Sequence, residues 1–423
     1  MSLRIYALLG AIALPAAVCQ ADTPSSAQIQ ALREQIAAIR AETEERLRAL
    51  EAELARLQSA NGAANNTAVA MTPTTDLHSS SRSEERSQLP SSLVVSGDFR
   101  LRHEITSGTG TSSDRTREVL RARLGARYDL APWLSIGGRL VTGDPDDPNS
   151  SDVAFPDFAD DLTVSLDQAY VSAHFDRWEL AAGKIPNPFV RTELVWDGDV
   201  NPQGIGGTWQ FPLGAALSGR VSALGFQIND QSDMTGAQIG LDARVGENWV
   251  YEVAAAYYDY DLGSLVGADA GDIRGNRLTP DGSRYLSDFN LVDLVATATW
   301  SGAETSWPIR LTGDYVRNTN AQIGDDSGYS LELLVGRASE PRDIRAGYGY
   351  STAEMDAVLA AFSHDNTTLS ANYRQHALAI DYVLTTNVLL NGTWYRYRTK
   401  DIDTATDESS WADRVRLNLQ FQF

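Results

Sequence analysis

Polar and apolar residues alternate along many segments of the chain, most strictly over the last ten residues. One face of this final segment would carry Val415, Leu417, Leu419, Phe421 and Phe423, and the residues between them are arginine, asparagine or glutamine. Because successive side chains of a strand point to opposite faces, the segment predicts a strand with one apolar and one wet face. Half-buried strands of soluble sandwiches show the same alternation. The remaining segments must therefore distinguish a sandwich from a barrel that faces lipid.

The alternation recurs from residue 91 to residue 423 and predicts an all-β domain. We count about 16 strands, and an even number is typical of a transmembrane antiparallel β-barrel. Every second connection is short, as at 130–132 and 385–386, whereas the others are long, as at 261–289 and 352–372. Short turns on one rim and long loops on the other are typical of the same fold.

The N-terminal segment 1–21 predicts a secretory signal peptide, with Arg4 followed by an apolar stretch and small residues before Asp22. The single cysteine, Cys19, lies inside this segment, so the mature chain would form no disulfide. A lipidated Cys19 would need a small preceding residue, and Val18 is large.

The next segment, 22–58, predicts a short periplasmic coiled coil, because its apolar residues recur at steps of three and four. The heptad phase breaks near Thr43, as it does at a stutter, and a lone amphipathic helix is the alternative. Isoleucines at both seam positions of the first half favour three strands, so we expect a homotrimer. Residues 59–90 contain few large apolar side chains and predict a flexible linker. The seam would be formed by Ile29, Leu32, Ile36, Ile39, Leu47, Leu50, Leu54 and Leu57.

Eight arginines fall on the inward face once the apolar residues of each strand are assigned to lipid. Closure of a barrel sets the last strand beside the first, so these arginines should form one ladder on the wall of the lumen. Arginines at alternating positions are incompatible with a lipid face or a dry core, and we expect a water-filled lumen. Ion pairing accounts for part of the set. The ladder consists of Arg100, Arg102, Arg121, Arg123, Arg127, Arg139, Arg414 and Arg416.

The inward face of the middle strands is predicted to be more acidic, and an opposite charge on that wall would create a field across the pore. The connection 186–204 is too apolar for an exposed loop and too rich in proline and glycine for a strand. We expect it to fold into the lumen and narrow the channel opposite the arginines; a loop resting on the rim is the alternative. The acidic residues of the middle strands are Asp242, Glu252, Asp293, Asp314 and Glu332. The predicted constriction residues are Glu193, Trp196, Asp197 and Asp199.

The motif at 181–189, followed by the sequence at 194–199, resembles that of the putative-porin family of Gram-negative outer membranes. The likeness covers about 90–423, and the terminal Phe423 is similar to the C-terminal signature of outer-membrane barrels. The resemblance implies a β-barrel pore in the bacterial outer membrane. Similarity to trimeric porins implies that the third extracellular loop forms the constriction.

These features predict a porin that passes small hydrophilic solutes or ions by passive diffusion, with weak selectivity. A substrate-specific channel for an anion, a sugar or an aromatic acid is an alternative, with Trp196, Trp209 and Tyr170 near the constriction. A structural tether is another, in which the N-terminal region contacts the cell wall.

Net charge and the absence of certain motifs limit which partners and cofactors the chain can have. The net charge is −21, and the acidic stretch 143–162 would form either a solvated rim or a bridge to lipopolysaccharide phosphates through divalent ions. The five histidines are scattered, and no phosphate loop, cysteine cluster or zinc motif appears. We therefore expect neither an enzyme nor a cofactor, catalytic or metal site, and no nucleic-acid partner. Membrane lipid and lipopolysaccharide are the expected neighbours.

Overall fold

The computed structural model describes residues 92–108, 114–155, 161–268, 271–302, 307–400 and 410–423. Over these ranges the chain forms a closed antiparallel β-barrel, as the alternation predicts. The predicted signal peptide, coiled coil and linker lie outside the described residues. Within the described ranges there is no helix that is long and apolar enough to cross a membrane.

Sixteen strands build the barrel wall, and the pairing of β1 with β17 closes it. A further strand of two residues, β4, pairs with β2 above the point where β3 leaves it. The strands are β1 (Leu93–Ser107), β2 (Arg115–Ala131), β3 (Leu134–Thr142), β4 (Val153–Ala154), β5 (Val164–Phe175), β6 (Trp178–Lys184), β7 (Gln203–Pro212), β8 (Leu217–Asn229), β9 (Ser232–Val245), β10 (Trp249–Leu262), β11 (Phe289–Trp300), β12 (Ile309–Asn318), β13 (Ser327–Gly336), β14 (Ile344–Ala353), β15 (Tyr373–Thr385), β16 (Val388–Thr399) and β17 (Ala412–Gln422).

The two rims differ in the way the sequence predicts. One, the short-turn rim, carries connections such as 176–177 and 386–387, and the other, the long-loop rim, carries 263–288 and 354–372. The turn at 230–231 is a short exception on the long-loop rim. Tryptophans lie close to strand ends, as expected of side chains that prefer a membrane interface. Trp133, Trp178, Trp249 and Trp307 lie at the short-turn rim, and Trp411 lies at the long-loop rim.

The closing pair of strands shows how alternation divides the two faces. Leu101 of β1 lies opposite Leu419 of β17, and both point outward, whereas the neighbouring Arg102 lies opposite Asn418 inside the barrel. Arg102 donates to Asn418 across the seam at 2.8 Å. Because the period of side-chain direction is two, a shift of register by one residue would expose these arginines to lipid.

Two connections fold into the barrel and form an apolar core against the inward faces of β8–β12. The first is 185–202, which the sequence predicts to bend inward. The second is 354–372, which the sequence places among the long outer loops; this expectation is wrong. Ala357–Phe362 is a run of six apolar residues, and burying it against the wall removes that surface from water. The expected water-filled lumen is therefore restricted to the side of the barrel that these segments leave open.

Candidate pore constriction

Seven of the eight predicted arginines meet on one wall, formed by the inward faces of β1, β2, β3 and β17. Arg100 lies directly opposite Arg121, so this wall would repel itself without acidic partners. Arg127 does not join the group: it lies nearer the short-turn rim, its side chain is 49% exposed and it pairs with Asp129 at 3.4 Å. We call the group the arginine wall; it comprises Arg100, Arg102, Arg121, Arg123, Arg139, Arg414 and Arg416.

Two carboxylates of β1 lie within this wall and neutralise part of it. Asp98 accepts hydrogen bonds from Arg121 at 3.0 Å and from Arg123 at 2.6 Å. Glu104 accepts from Arg117 and from Arg416, each at 2.7 Å. Sequence reasoning missed both acids, although each has the same strand parity as the neighbouring arginines.

The inward segment 185–202 contributes Asp199 to the wall. Its carboxylate accepts from Arg123 Nη1 at 2.8 Å and from the hydroxyl of Ser151 at 2.7 Å. Burial raises the pKa of Asp199, but Arg121 and Arg123 outweigh it and hold the pKa below its usual value. Asp199 therefore stands as a carboxylate opposite the arginines.

Asp152 also reaches the arginine wall, which corrects the expectation that 143–162 forms only a rim. The chain turns inward at Gly143, whose φ of 119° and close approach to Ser151 leave no room for a side chain. Asp152 then pairs with Arg100 and, at 2.5 Å, with Arg102. The chain returns to the wall immediately afterwards, at β4.

The other predicted constriction residues have different surroundings. Trp196 is fully buried in the apolar core and stacks on Phe362, so it does not line the lumen. Asp197 is buried too, and its Oδ1 accepts from the backbone N–H of Asp199 at 2.8 Å. Burial, and after it repulsion from Glu193, raises the pKa of Asp197 well above its usual value. Asp197 does not reach the arginines as expected, because its side chain is buried and bonds within its own segment, whereas Glu193 lies near Arg416 without pairing with it directly.

Glu193 instead accepts a hydrogen bond from Asn366 of the second inward segment. Asn366 also binds the arginine wall: its Oδ1 accepts from Arg416 and its backbone carbonyl accepts from Arg414, each at 3.0 Å. The connection that follows β3 also contacts the second inward segment, because Ser150 donates a hydrogen bond to Asp365 at 2.8 Å. The inward turn 143–152 and the segments 185–202 and 354–372 therefore all meet at the arginines; we call them the three inward segments.

The segment 185–202 separates two cavities of the lumen. The cavity nearer the long-loop rim has a volume of about 380 Å³ and reaches Asp199, Asp167 and Lys184. The other has a volume of about 440 Å³ and reaches Gly198 and Glu193 from the opposite side. Between the two cavities, the arginine wall lies on one side of the lumen and Asp199 of this segment lies on the other.

The charges of this region nearly balance. Eight arginines, counting Arg117, are ion-paired there with five carboxylates, an excess of three positive charges. Glu193 and Asp365 also interact with Arg416 and offset part of that excess. The five ion-paired carboxylates are Asp98, Glu104, Asp152, Asp167 and Asp199.

The wall of the middle strands is less open than the sequence predicts. Asp293 and Asp314 point inward but are buried beneath the first inward segment, where Thr192 donates to Asp314. Of the aromatic residues considered for stacking on a solute, Trp209 lies on the outer face against Trp178, with ring centroids 5.6 Å apart. Within the described ranges, no group of three or more acidic, histidine or cysteine residues is arranged to hold a metal ion.

Comparison with known proteins agrees with this architecture. A sequence profile of the family described as putative porin matches residues 101–265, which confirms the resemblance predicted from the motif. OprB of Pseudomonas putida, solved at high pH, is 13% identical, with a TM-score of 0.52 over 78% of this chain and 94% of that chain. At this identity the similarity shows the barrel fold.

Two further solved structures cover 78% of this chain at lower similarity. The anion-selective porin from Comamonas acidovorans is 12% identical with a TM-score of 0.47, and 99% of its chain is covered. The trimer form of OmpT of Vibrio cholerae is 10% identical with a TM-score of 0.48, and its whole chain, 100%, is covered. No curated protein matches the chain. The profile match and the fold together support a β-barrel channel of the outer membrane.

Proposed function

We propose that the protein is an outer-membrane porin through which small hydrophilic solutes diffuse passively, and that they pass along the arginine wall. The observation that carries the proposal is the position of Asp199, held against Arg123 at 2.8 Å by a segment folded into the barrel. The apolar core fills the other side of the lumen. The route that we assign to a hydrated solute is the charged side, where the side chains of Arg121, Arg123 and Asp199 are 12–20% exposed.

The arrangement favours polar solutes for a physical reason. A solute that enters a narrow pore loses part of its hydration, and groups of both signs on the wall replace it. Arg121 and Arg123 supply donors, whereas Asp98 and Asp199 supply acceptors. The small excess of positive charge would give a weak preference for anions.

A substrate-specific channel is the second candidate, and the cavity of about 440 Å³ favours it. Carboxylates, an arginine and a tyrosine line this cavity, namely Glu193, Glu332, Arg310 and Tyr395. Such a set would hold a solute long enough to select it. Saturable block of the current by one class of solute would distinguish this candidate from a general pore.

The proposal assigns the N-terminal segments to export and assembly. Residues 1–21 would direct secretion, 22–58 would form a trimeric coiled coil in the periplasm, and 59–90 would connect it to the barrel. The isoleucine seam supports the trimer.

The alternative for this region is a tether that contacts the cell wall. Deletion of 22–90 distinguishes the two. If the barrel is the functional unit, the deletion variant keeps its conductance; if the region is a tether, the cell envelope loses integrity while its permeability is unchanged.

Liposomes that contain the purified protein are expected to admit small sugars and amino acids and to exclude larger oligosaccharides. The reason is that three inward segments narrow the lumen at the arginine wall. Swelling rates for a series of neutral solutes of increasing size measure this. Liposomes with heat-denatured protein are the control, and equal swelling of both preparations would contradict the proposed function.

A further inference from the structure

A second group of arginines lies on the outer face of the barrel, near the long-loop rim. Arg374 of β15 is directly opposite Arg398 of β16, and the next residues outward-facing on these strands, His376 and Arg396, are also opposite each other. The same face of β15 continues toward the short-turn rim with exposed apolar residues, beginning with Leu378. The arginines therefore lie just above the apolar belt.

The described part of the barrel neutralises this group only in part. Like charges directly opposite each other in a sheet are destabilising, and neither Arg374 nor Arg398 has an acidic partner among the described residues. Arg396 pairs with Asp413 at 3.7 Å, but Trp394 also donates to that carboxylate, at 2.9 Å. Two guanidinium groups thus remain beside the lipid surface without a counter-ion from the described part of the chain.

Trp411 lies at the centre of the group. The guanidinium carbon of Arg398 is 4.8 Å from the centroid of its ring, and that of Arg396 is 5.6 Å from it. Cation–π contact holds an arginine in place without using its N–H donors. Tryptophan also prefers the boundary between hydrocarbon and headgroups, which places the group at headgroup level.

An arginine elsewhere at the same level shows the contrasting arrangement. Arg317 of β12 also points outward near the long-loop rim, but Asp326 pairs with it at 3.1 Å. An arginine that faces outward near the long-loop rim can therefore have an acidic partner. Arg374 and Arg398 differ from Arg317 in that no acidic residue of the described ranges pairs with them.

We propose that Arg374, Arg396, Arg398 and Trp411, the basic patch, bind the phosphate groups of lipopolysaccharide in the outer leaflet. The planar fork of arginine matches phosphate oxygens bidentately, and two unpaired forks side by side fit a phosphorylated glycolipid. Long loops mark the extracellular side of such barrels, where lipopolysaccharide is the lipid. The patch is remote from the lumen, so the inference does not depend on the route of the solute.

The test compares lipid binding by the full-length wild type and by an Arg374→Ala/Arg398→Ala variant, in detergent, by native mass spectrometry. Purified lipopolysaccharide, its dephosphorylated form and inorganic phosphate are the probes. We expect the wild type to retain lipopolysaccharide and to release the dephosphorylated form. The variant should bind lipopolysaccharide roughly tenfold more weakly, because it loses two charge-assisted contacts to phosphate that solvent partly screens.

Three controls decide the outcome. An Arg317→Ala/Arg284→Ala variant removes two exposed arginines elsewhere, one on β12 and one in the connection 263–288, and should bind as the wild type does. Arg374→Lys/Arg398→Lys should keep most of the binding. Heat-modifiable migration in gels verifies that each variant is folded. Equal retention of lipopolysaccharide by the wild type and the alanine variant overturns the inference, as does equal loss in both alanine variants. A changed oligomeric state with unchanged lipid binding also overturns it and assigns the patch to a contact between copies.

Discussion

Replacement of Trp196 by alanine is expected to enlarge the channel while the barrel stays folded. Trp196 is fully buried and joins the two inward segments, because it stacks on Phe362 at 5.6 Å and packs edge-on against Tyr258 at 5.7 Å. Truncation of a buried aromatic side chain to alanine typically costs ~3–5 kcal/mol. The strands keep their ladder of backbone hydrogen bonds, so the loss falls on the segments inside.

Single-channel conductance and the size limit in liposome swelling measure the effect of Trp196→Ala. Both should rise, because segments that leave the core no longer narrow the lumen. Trp209→Ala is the matched control: it removes the same side chain from the outer face, where Trp209 stacks on Trp178, and should leave the conductance unchanged. An unaltered conductance and size limit in Trp196→Ala would show that the core does not hold the constriction.

Glu104→Gln should destabilise the seam between β1 and β17. The carboxylate is buried and accepts from Arg117 and Arg416 at 2.7 Å, and Arg414 lies 3.5 Å away. Breaking a buried ion pair by neutralising one partner costs ~3–5 kcal/mol, because the opposite charges remain buried without compensation. Here several arginines would share that loss at the point where the barrel closes.

The effect of Glu104→Gln is measured as a lower urea midpoint for loss of heat-modifiable migration. Glu118→Gln is the control on the outer face, where the side chain is 55% exposed and pairs with His103 at 2.7 Å. An exposed pair of this kind contributes only ~0–1 kcal/mol. If the two variants unfold at the same urea concentration, the buried ion pairs of Glu104 do not stabilise the pairing of β1 with β17 more than an exposed pair does.

The wall of the barrel was predictable from sequence because lipid imposes a strict rule on its outer face. Leu417 and Leu419 must face hydrocarbon, so Arg416 and Asn418 between them must face inward, and the register with β1 follows. The same parity places Asp98 and Glu104 inside. The alternation of β1 is therefore sufficient to predict both acids, which have the parity of Arg100 and Arg102.

The path of the loops could not be obtained in this way, since no periodicity fixes the direction in which a connection bends. The apolar run Ala357–Phe362 is a usable signal, because a water-exposed loop rarely carries six apolar residues in succession. Asp152 gives no such signal, as it stands among other acidic residues of an exposed-looking loop. Its pairing with Arg102 depends on the inward turn at Gly143.

The central claim is that solutes pass along the arginine wall, and the reversal potential of single channels under a salt gradient tests it most directly. The wild type should give stable conductance steps with a weak preference for anions. Arg121→Ala/Arg123→Ala leaves Asp98 and Asp199 without these partners, so its reversal potential should shift toward cation preference. An identical reversal potential in the two proteins, or no steps from a folded wild-type barrel, would contradict the account.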